Sequence, residues 1–186
     1  MREFIVSLLV VLFLGSIIFY YMIDIKNPTT VGYIMEKKDN QLLIVEQERN
    51  EHNFYEATWY KIPLFLRTTG NFQVGQKVAV KGSGIVADSY PAQSSARKIK
   101  RMNLEKVEGA KLSQEKVLSV ALNESYKQGD LYGVEEINFS NGMWDVKIVR
   151  ILSSTYEENS EFTVQISDLT GEVFSITEED ADEKVL

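Results

Sequence analysis

GSGIVADSYPAQSSA, residues 82–96, holds two glycines, a short apolar strand, Ser-Tyr-Pro-Ala-Gln and a run of small residues. Gly82 and Gly84 permit the sharp bend or bulge that a strand needs at a barrel corner. Pro91 fixes its own φ and pushes Tyr90 toward extended backbone. Strand signals surround this stretch. VGYIMEKKDNQLLIV (31–45) reads as two strands turning at Lys38-Asp39-Asn40, and ATWYKI (57–62) reads as a third. In that third strand Trp59 and Tyr60 face opposite ways. FLRTTGNFQVGQKVAVKGSGIV (65–86) holds a turn at Thr69-Gly70-Asn71 and a strand at Val78-Ala79-Val80, and RKIKRM (97–102) closes the set.

Five short strands with glycine-rich turns predict a small β-barrel of the OB kind over residues 30–105. Within it, VGQKVAV…GIVADSYPAQSSARKI resembles the YobA-like family, an uncharacterised domain of Gram-positive cell-envelope proteins. The resemblance rests on Val74, Gly75, Lys77 and Val78 and on Ser89 to Gln93. It implies an OB-like fold at the envelope and no particular activity. Many such envelope proteins are anchored by a lipidated cysteine, and this chain has no cysteine. In the SYPAQ segment, Tyr90 packs its ring and keeps its hydroxyl wet or bonded if the segment is only a loop. If it binds, Ser89, Tyr90, Pro91 and Gln93 are the candidate residues, stacking and hydrogen-bonding on an OB face. The RKIKR run suits anionic headgroups or wall polymers, or else is the solvated side of an edge strand.

Residues 110–177 read differently. Ser113 is the natural N-cap of a helix in LSQEKVLSVALNESYKQGD, with Glu115 in its first turn and Gly129 at its end. Val117, Leu118, Ala121, Leu122 and Tyr126 form its apolar stripe. A hairpin follows around Asn141-Gly142, with Trp144, Val146 and Ile148 on one face. A second hairpin turns at Asp168-Leu169-Thr170-Gly171, with Phe162, Val164 and Ile166 sharing a face. The helix is expected to cover the sheet. This helix, MWDVKI (143–148) and VQISDLTGEV (164–173) resemble a PepSY-type domain, although Val117 stands where that pattern has alanine. The resemblance implies a non-enzymatic module that holds or inhibits partners such as peptidases. Residues 178–186 form an acidic tail.

At the other end, Phe4 to Ile23 contains no charged residue in 20 positions. As a helix it spans roughly 30 Å, the thickness of a bilayer core. No small-x-small cleavage site follows, so residues 1–26 read as an uncleaved anchor with flanks rather than a signal peptide. Phe4, Leu8, Val11, Phe13, Ile17, Tyr20, Tyr21 and Ile23 line it, with the two tyrosines near the interface. The expected location is the cell membrane, single-pass, with the soluble domains on the extracytoplasmic side.

Charge divides the chain. Residues 27–109 hold 12 basic and 9 acidic side chains, and residues 110–186 hold 6 basic and 16 acidic ones. The whole carries −7, which disfavours nucleic acid. With no cysteine and only His52, thiolate and multi-histidine metal sites are excluded, and no cofactor is expected. Ser113-Gln114-Glu115-Lys116 fits S-x-x-K, but Ser113 is already a cap and the companion motifs are missing. An atypical membrane peptidase using Ser113 and Lys77 lacks the Ser-Met-x-Pro-Thr signature. The reading is therefore an α+β protein: a transmembrane helix, an OB-like barrel, then a PepSY-like helix on an antiparallel sheet. Its expected role is non-catalytic binding of a protein or peptide, with an envelope polymer or oligosaccharide as the alternative ligand.

Overall fold

β1 (Thr29–Lys38) and β2 (Gln41–Arg49) form the expected hairpin, with Asp39 in the left-handed region at φ 42°. Aspartate tolerates that backbone better than most residues. The computed structural model describes residues 12, 13, 15, 29–67, 71–84, 89–104, 106–125, 130–151 and 158–179. β3 (Tyr55–Lys61) pairs with β2, and one helical turn, α1 (Leu64–Arg67), follows. β4 (Lys77–Gly82) and β5 (Ala92–Arg101) complete a closed barrel in the order β1-β2-β3-β5-β4. β3 and β5 run parallel, and β1 pairs with β4 to close the ring.

Ile34, Leu42, Ile44, Tyr60, Val78 and Val80 fill the barrel. Tyr33, Met35, Leu43, Val45, Tyr55 and Ala57 point outward yet are also buried. Both faces of β1–β3 are covered, which is why β2 reads as a continuous apolar run, Leu42 to Val45, rather than an alternation.

The cover comes from the second unit. It consists of α2 (Gln114–Ser125) and the antiparallel sheet β6 (Leu131–Ser140), β7 (Met143–Ile151), β8 (Glu158–Ser167) and β9 (Val173–Glu179). Ser113 caps α2, its Oγ accepting the Lys116 N–H at 3.3 Å. Asn141 and Gly142 both have positive φ, as a type I′ hairpin turn requires. Trp144, Val146 and Ile148 meet Phe162, Val164 and Ile166 beneath Val117, Leu118, Ala121 and Leu122. At the second hairpin Asp168 is buried rather than a solvated turn residue. Its carboxylate accepts the Trp144 indole N–H at 2.8 Å and the N–H groups of Lys111 and Leu112 at 2.9 Å each. The hairpin tip is thereby clasped to the segment that leads into α2.

The two units share one apolar core. Leu104, Val107 and Ala110, from the segment that joins barrel to helix, pack into it. Gly133 on β6 lies against the Tyr55 ring, and Gly75 lies against the α2 backbone at Glu115 and Ser119. Arg49 pairs with Glu135, and Arg101 with Glu115, across the junction.

Of the expected anchor, Phe4, Leu8, Val11, Ile17, Tyr20, Tyr21 and Ile23 lie outside the described residues. Leu12 and Phe13 are helical and exposed. Among the described residues no helix is long and apolar enough to cross a membrane. Gly70, Tyr126, Gly129 and the tail beyond 179 also lie outside the described residues.

Candidate functional site

The barrel changes character toward one end. Residues in phase with the inward Leu42 and Ile44 on β2 lead to Glu46, and those in phase with the inward Tyr60 on β3 lead to Thr58 and Glu56. Thr30 on β1 and Ala92 and Ser94 on β5 share this inward phase. The mouth is therefore lined by hydroxyls and carboxylates, while the middle of the barrel is apolar. These residues, with Thr29, Gly82 and Gly84, enclose a cavity of about 420 Å³. Space is tight at Gly82, where a Cβ would stand 3.3 Å from the Ser94 Oγ and 3.5 Å from the Tyr60 ring.

The cavity is electrostatically biased. The Thr30 and Tyr60 hydroxyls are hydrogen-bonded at 3.0 Å. Burial raises the Glu46 pKa above the ordinary carboxylate value, the neighbouring Glu56 charge raises it further, and a hydrogen bond with Thr30 opposes both. Burial likewise raises the Tyr60 pKa, with Glu46 adding to it. A cation or a hydrogen-bond donor entering the mouth would relieve the repulsion between the two carboxylates.

The SYPAQ residues take other places. Tyr90 packs against the shared core, and its hydroxyl donates to the Tyr55 carbonyl at 3.0 Å. The Tyr90–Pro91 peptide is cis, and the Ser89 hydroxyl donates to the Pro91 carbonyl at 2.9 Å. Ala92 and Gln93 belong to β5 rather than to the loop. Gln93 is exposed and stands opposite Trp59, out of phase with Ala92 and Ser94. The segment thus contributes to the mouth through its small residues and not through Tyr90 or Gln93. Glu46 and Glu56 went unnoticed in the sequence, although each sits two positions from an inward-facing residue on its own strand.

Lys77 and Ser113 have separate engagements. The Lys77 ammonium lies 5.7 Å from the centre of the Tyr33 ring, and Ser113 caps α2. Two further cavities, about 310 and 410 Å³, flank the Arg101–Glu115 pair where barrel meets helix. Among the described residues no group of three or more histidines or carboxylates converges as metal ligands.

Fold and mouth together define a closed five-stranded barrel with a polar opening, joined to a helix-on-sheet unit. Residues 31–101, which are the barrel, match the family model described as a protein of unknown function, DUF3221. That agrees with the resemblance to the uncharacterised YobA-like domain seen in Val74 to Val78 and Ser89 to Gln93. The match ends at Arg101, so the helix and four-stranded sheet stand outside it. No curated protein matches the chain.

Proposed function

We propose that the protein is a membrane-anchored binding protein of the bacterial cell envelope, with its folded units on the extracytoplasmic side. In this reading it acts without catalysis, holding a protein or peptide partner, with a peptidase among the candidates. The observation that carries the reading is the barrel mouth. Glu46 and Glu56 face a cavity sized for a side chain, and the raised Glu46 pKa marks a carboxylate short of positive partners. An amino terminus or lysine ammonium supplies that charge, and Thr58 and Ser94 supply further hydrogen bonds. The helix lying on an antiparallel sheet supports a PepSY-type role for residues 110–177, and the 20-residue apolar run supports the anchor.

The test is crosslinking in intact cells from a photoreactive residue at position 93, exposed between the mouth residues Ala92 and Ser94, of tagged full-length protein. A discrete protein adduct, lost in Glu46→Gln/Glu56→Gln, is expected. Hydrolysis of peptide or wall polymer by the purified protein, abolished by changing one polar residue, would overturn the non-catalytic reading. The hydroxyls of Thr30, Thr58, Tyr60 and Ser94 around one cavity favour a second reading, an OB-type module taking an envelope oligosaccharide. Label recovered on wall material rather than protein would select it.

A further inference from the structure

The four-stranded sheet ends in β6 on one side and β9 on the other. β6 lies against β1 and β2 of the barrel. Among the described residues β9 pairs with β8 alone, so its second edge has no strand partner there. Ile176 stands opposite the buried Val164, and Phe174 is the extra residue of a bulge beside Ile166. Ser175 faces Gln165, so alternation puts Phe174 and Ile176 on the helix side of the sheet. α2 packs on β6, β7 and β8, and these two side chains remain 76% and 45% exposed. The other face of the sheet is closed by hydrogen bonds. The Ser175 hydroxyl donates to Gln165 Oε1 at 2.9 Å, and the Gln165 amide donates to Asp145 Oδ1 at 2.8 Å.

Proteins blunt an open sheet edge with lysine, proline or an inward charge. Phe174-Ser175-Ile176-Thr177 has none of these, and its apolar side is open. The middle of β9 is therefore a template for one more strand. The surrounding charge has one sign. β8 and β9 hold Glu158, Glu161, Glu178 and Glu179 and no lysine or arginine. Lys147 engages Glu161 at 2.7 Å. Glu178, opposite Phe162, is exposed and reaches the Arg150 guanidinium at 3.8 Å. Arg150 is shared with Asp130 at 3.8 Å and with the Ser160 hydroxyl at 3.1 Å. A second copy of the chain would bring another row of carboxylates to this edge, and like charges oppose strand pairing.

We propose that β9 is a docking strand for an extended, basic segment of a partner protein. The segment adds to the sheet with apolar side chains beside Phe174 and Ile176 and a lysine or arginine beside Glu178. Main-chain hydrogen bonds supply affinity, and alternate side chains supply specificity. A one-residue slip would turn the segment's apolar residues to the polar face that carries Ser175 and Thr177. The surface belongs to the C-terminal unit and rests on neither the anchor nor the mouth reading.

The test uses purified full-length protein and two acetylated peptides, Thr-Ile-Thr-Val-Thr-Lys and the same sequence with glutamate for lysine. Backbone amide exchange is followed over residues 173–178. The lysine peptide is expected to slow exchange there several-fold. The glutamate peptide should need a concentration about fivefold higher, a difference that salt erases. Glu178→Lys should reverse the order of the two peptides. Phe174→Ser should weaken the lysine peptide and leave the melting midpoint unchanged, because the ring is exposed. Glu46→Gln/Glu56→Gln should leave the β9 protection unchanged, which separates failure at the mouth from failure here. Unaltered β9 exchange with the lysine peptide overturns the proposal. An equal effect from a fully N-methylated lysine peptide, which cannot pair as a strand, also overturns it. So does β9 exchange that is slow without peptide. Slowing that grows with protein concentration assigns the edge to a second copy. Slowing independent of concentration and lost on removing residues 180–186 assigns it to the chain's own end.

Discussion

Replacing Gly133 by alanine would put a methyl carbon 2.6 Å from Cδ2 and Cε2 of the Tyr55 ring. The ring has little room to retreat. Tyr55 is 3% exposed, its carbonyl accepts the Tyr90 hydroxyl at 3.0 Å, and the Arg49 guanidinium lies 5.0 Å from the ring centre. Two effects oppose each other. A glycine replaced by alanine at a tolerant position gains about 0.4–1 kcal/mol from the unfolded chain. Overpacking a filled core costs about 1–3 kcal/mol. Overpacking wins, leaving a net loss of about 1–2 kcal/mol, or a Tm lowered by about 2–8 °C for a chain of this size. The chain has two tryptophans, Trp59 on the barrel and Trp144 in the second unit. Single-tryptophan variants, Trp59→Phe and Trp144→Phe, therefore report the two units separately. With a shared core, both probes should show the same lowered midpoint in Gly133→Ala. Combining Gly133→Ala with Tyr55→Leu should cost less than the sum of the two changes. An unchanged midpoint, or a shift seen by Trp144 alone, would refute the contact as a coupling between units.

Four other outcomes follow from named groups. Ser113→Ala removes the α2 cap and should cost about 1 kcal/mol in urea unfolding, without changing the slope. Glu46 has a raised folded-state pKa, so its favourable contribution is complete below the unfolded value and is lost as pH rises through the folded one. Glu46→Gln should therefore stabilise the protein at neutral pH and gain nothing in acid, as compared by thermal melts at the two pH values. Asp168 is the opposite case. Burial favours its neutral form, but the N–H groups of Leu112 and Lys111 and the Trp144 indole hold its pKa below the ordinary value. Its stabilising contribution is present at neutral pH and fades as pH falls through that lowered value. Asp168→Asn, which sets an amide N–H₂ among three donors, should lower the melting point at pH 7 and flatten the acid limb. Lys98→Gln removes the like-charge neighbour of Lys81 across the β4–β5 pairing and should raise stability in low salt by about 0.2–1 kcal/mol, an effect that salt erases. A loss of stability in the Lys98→Gln melt would refute repulsion at that pair.

Much of the local structure was legible because its causes are local. Asn141-Gly142 between alternating apolar residues strongly favours a type I′ turn, and both residues have positive φ. Ser113 before Val117, Leu118, Ala121 and Leu122 marks a capped helix with one apolar stripe, and α2 buries those four residues. Trp59 and Tyr60 separate to the two sides of β3 because strand side chains alternate. The continuous run Leu42 to Val45 carried a hint of burial on both faces, one that strand counting alone passes over. The mouth was harder to see. Glu46 and Glu56 lie on strands joined only by the β2–β3 pairing, and Ser94 reaches them only through the parallel β3–β5 pairing. Tyr90 could be read from the sequence as a packed ring or as a binding one, because an exposed tyrosine and a core tyrosine have the same local sequence signature; the structure packs it.

The sequence by itself determined the strands, the capped helix, the hairpin turns, the apolar N-terminal run and the charge contrast between halves. Each depends on residues within a few positions of one another, or on composition. Only the tertiary structure decided that the barrel closes, that Asp168 is a buried clasp, and that the two units share a core. It also brought Glu46 and Glu56 to one opening and set Lys81 against Lys98 across the β4–β5 pairing. These depend on which strands pair and in what register. Pairing is settled by burying the apolar surface of the whole chain at once, so no single stretch of sequence encodes it.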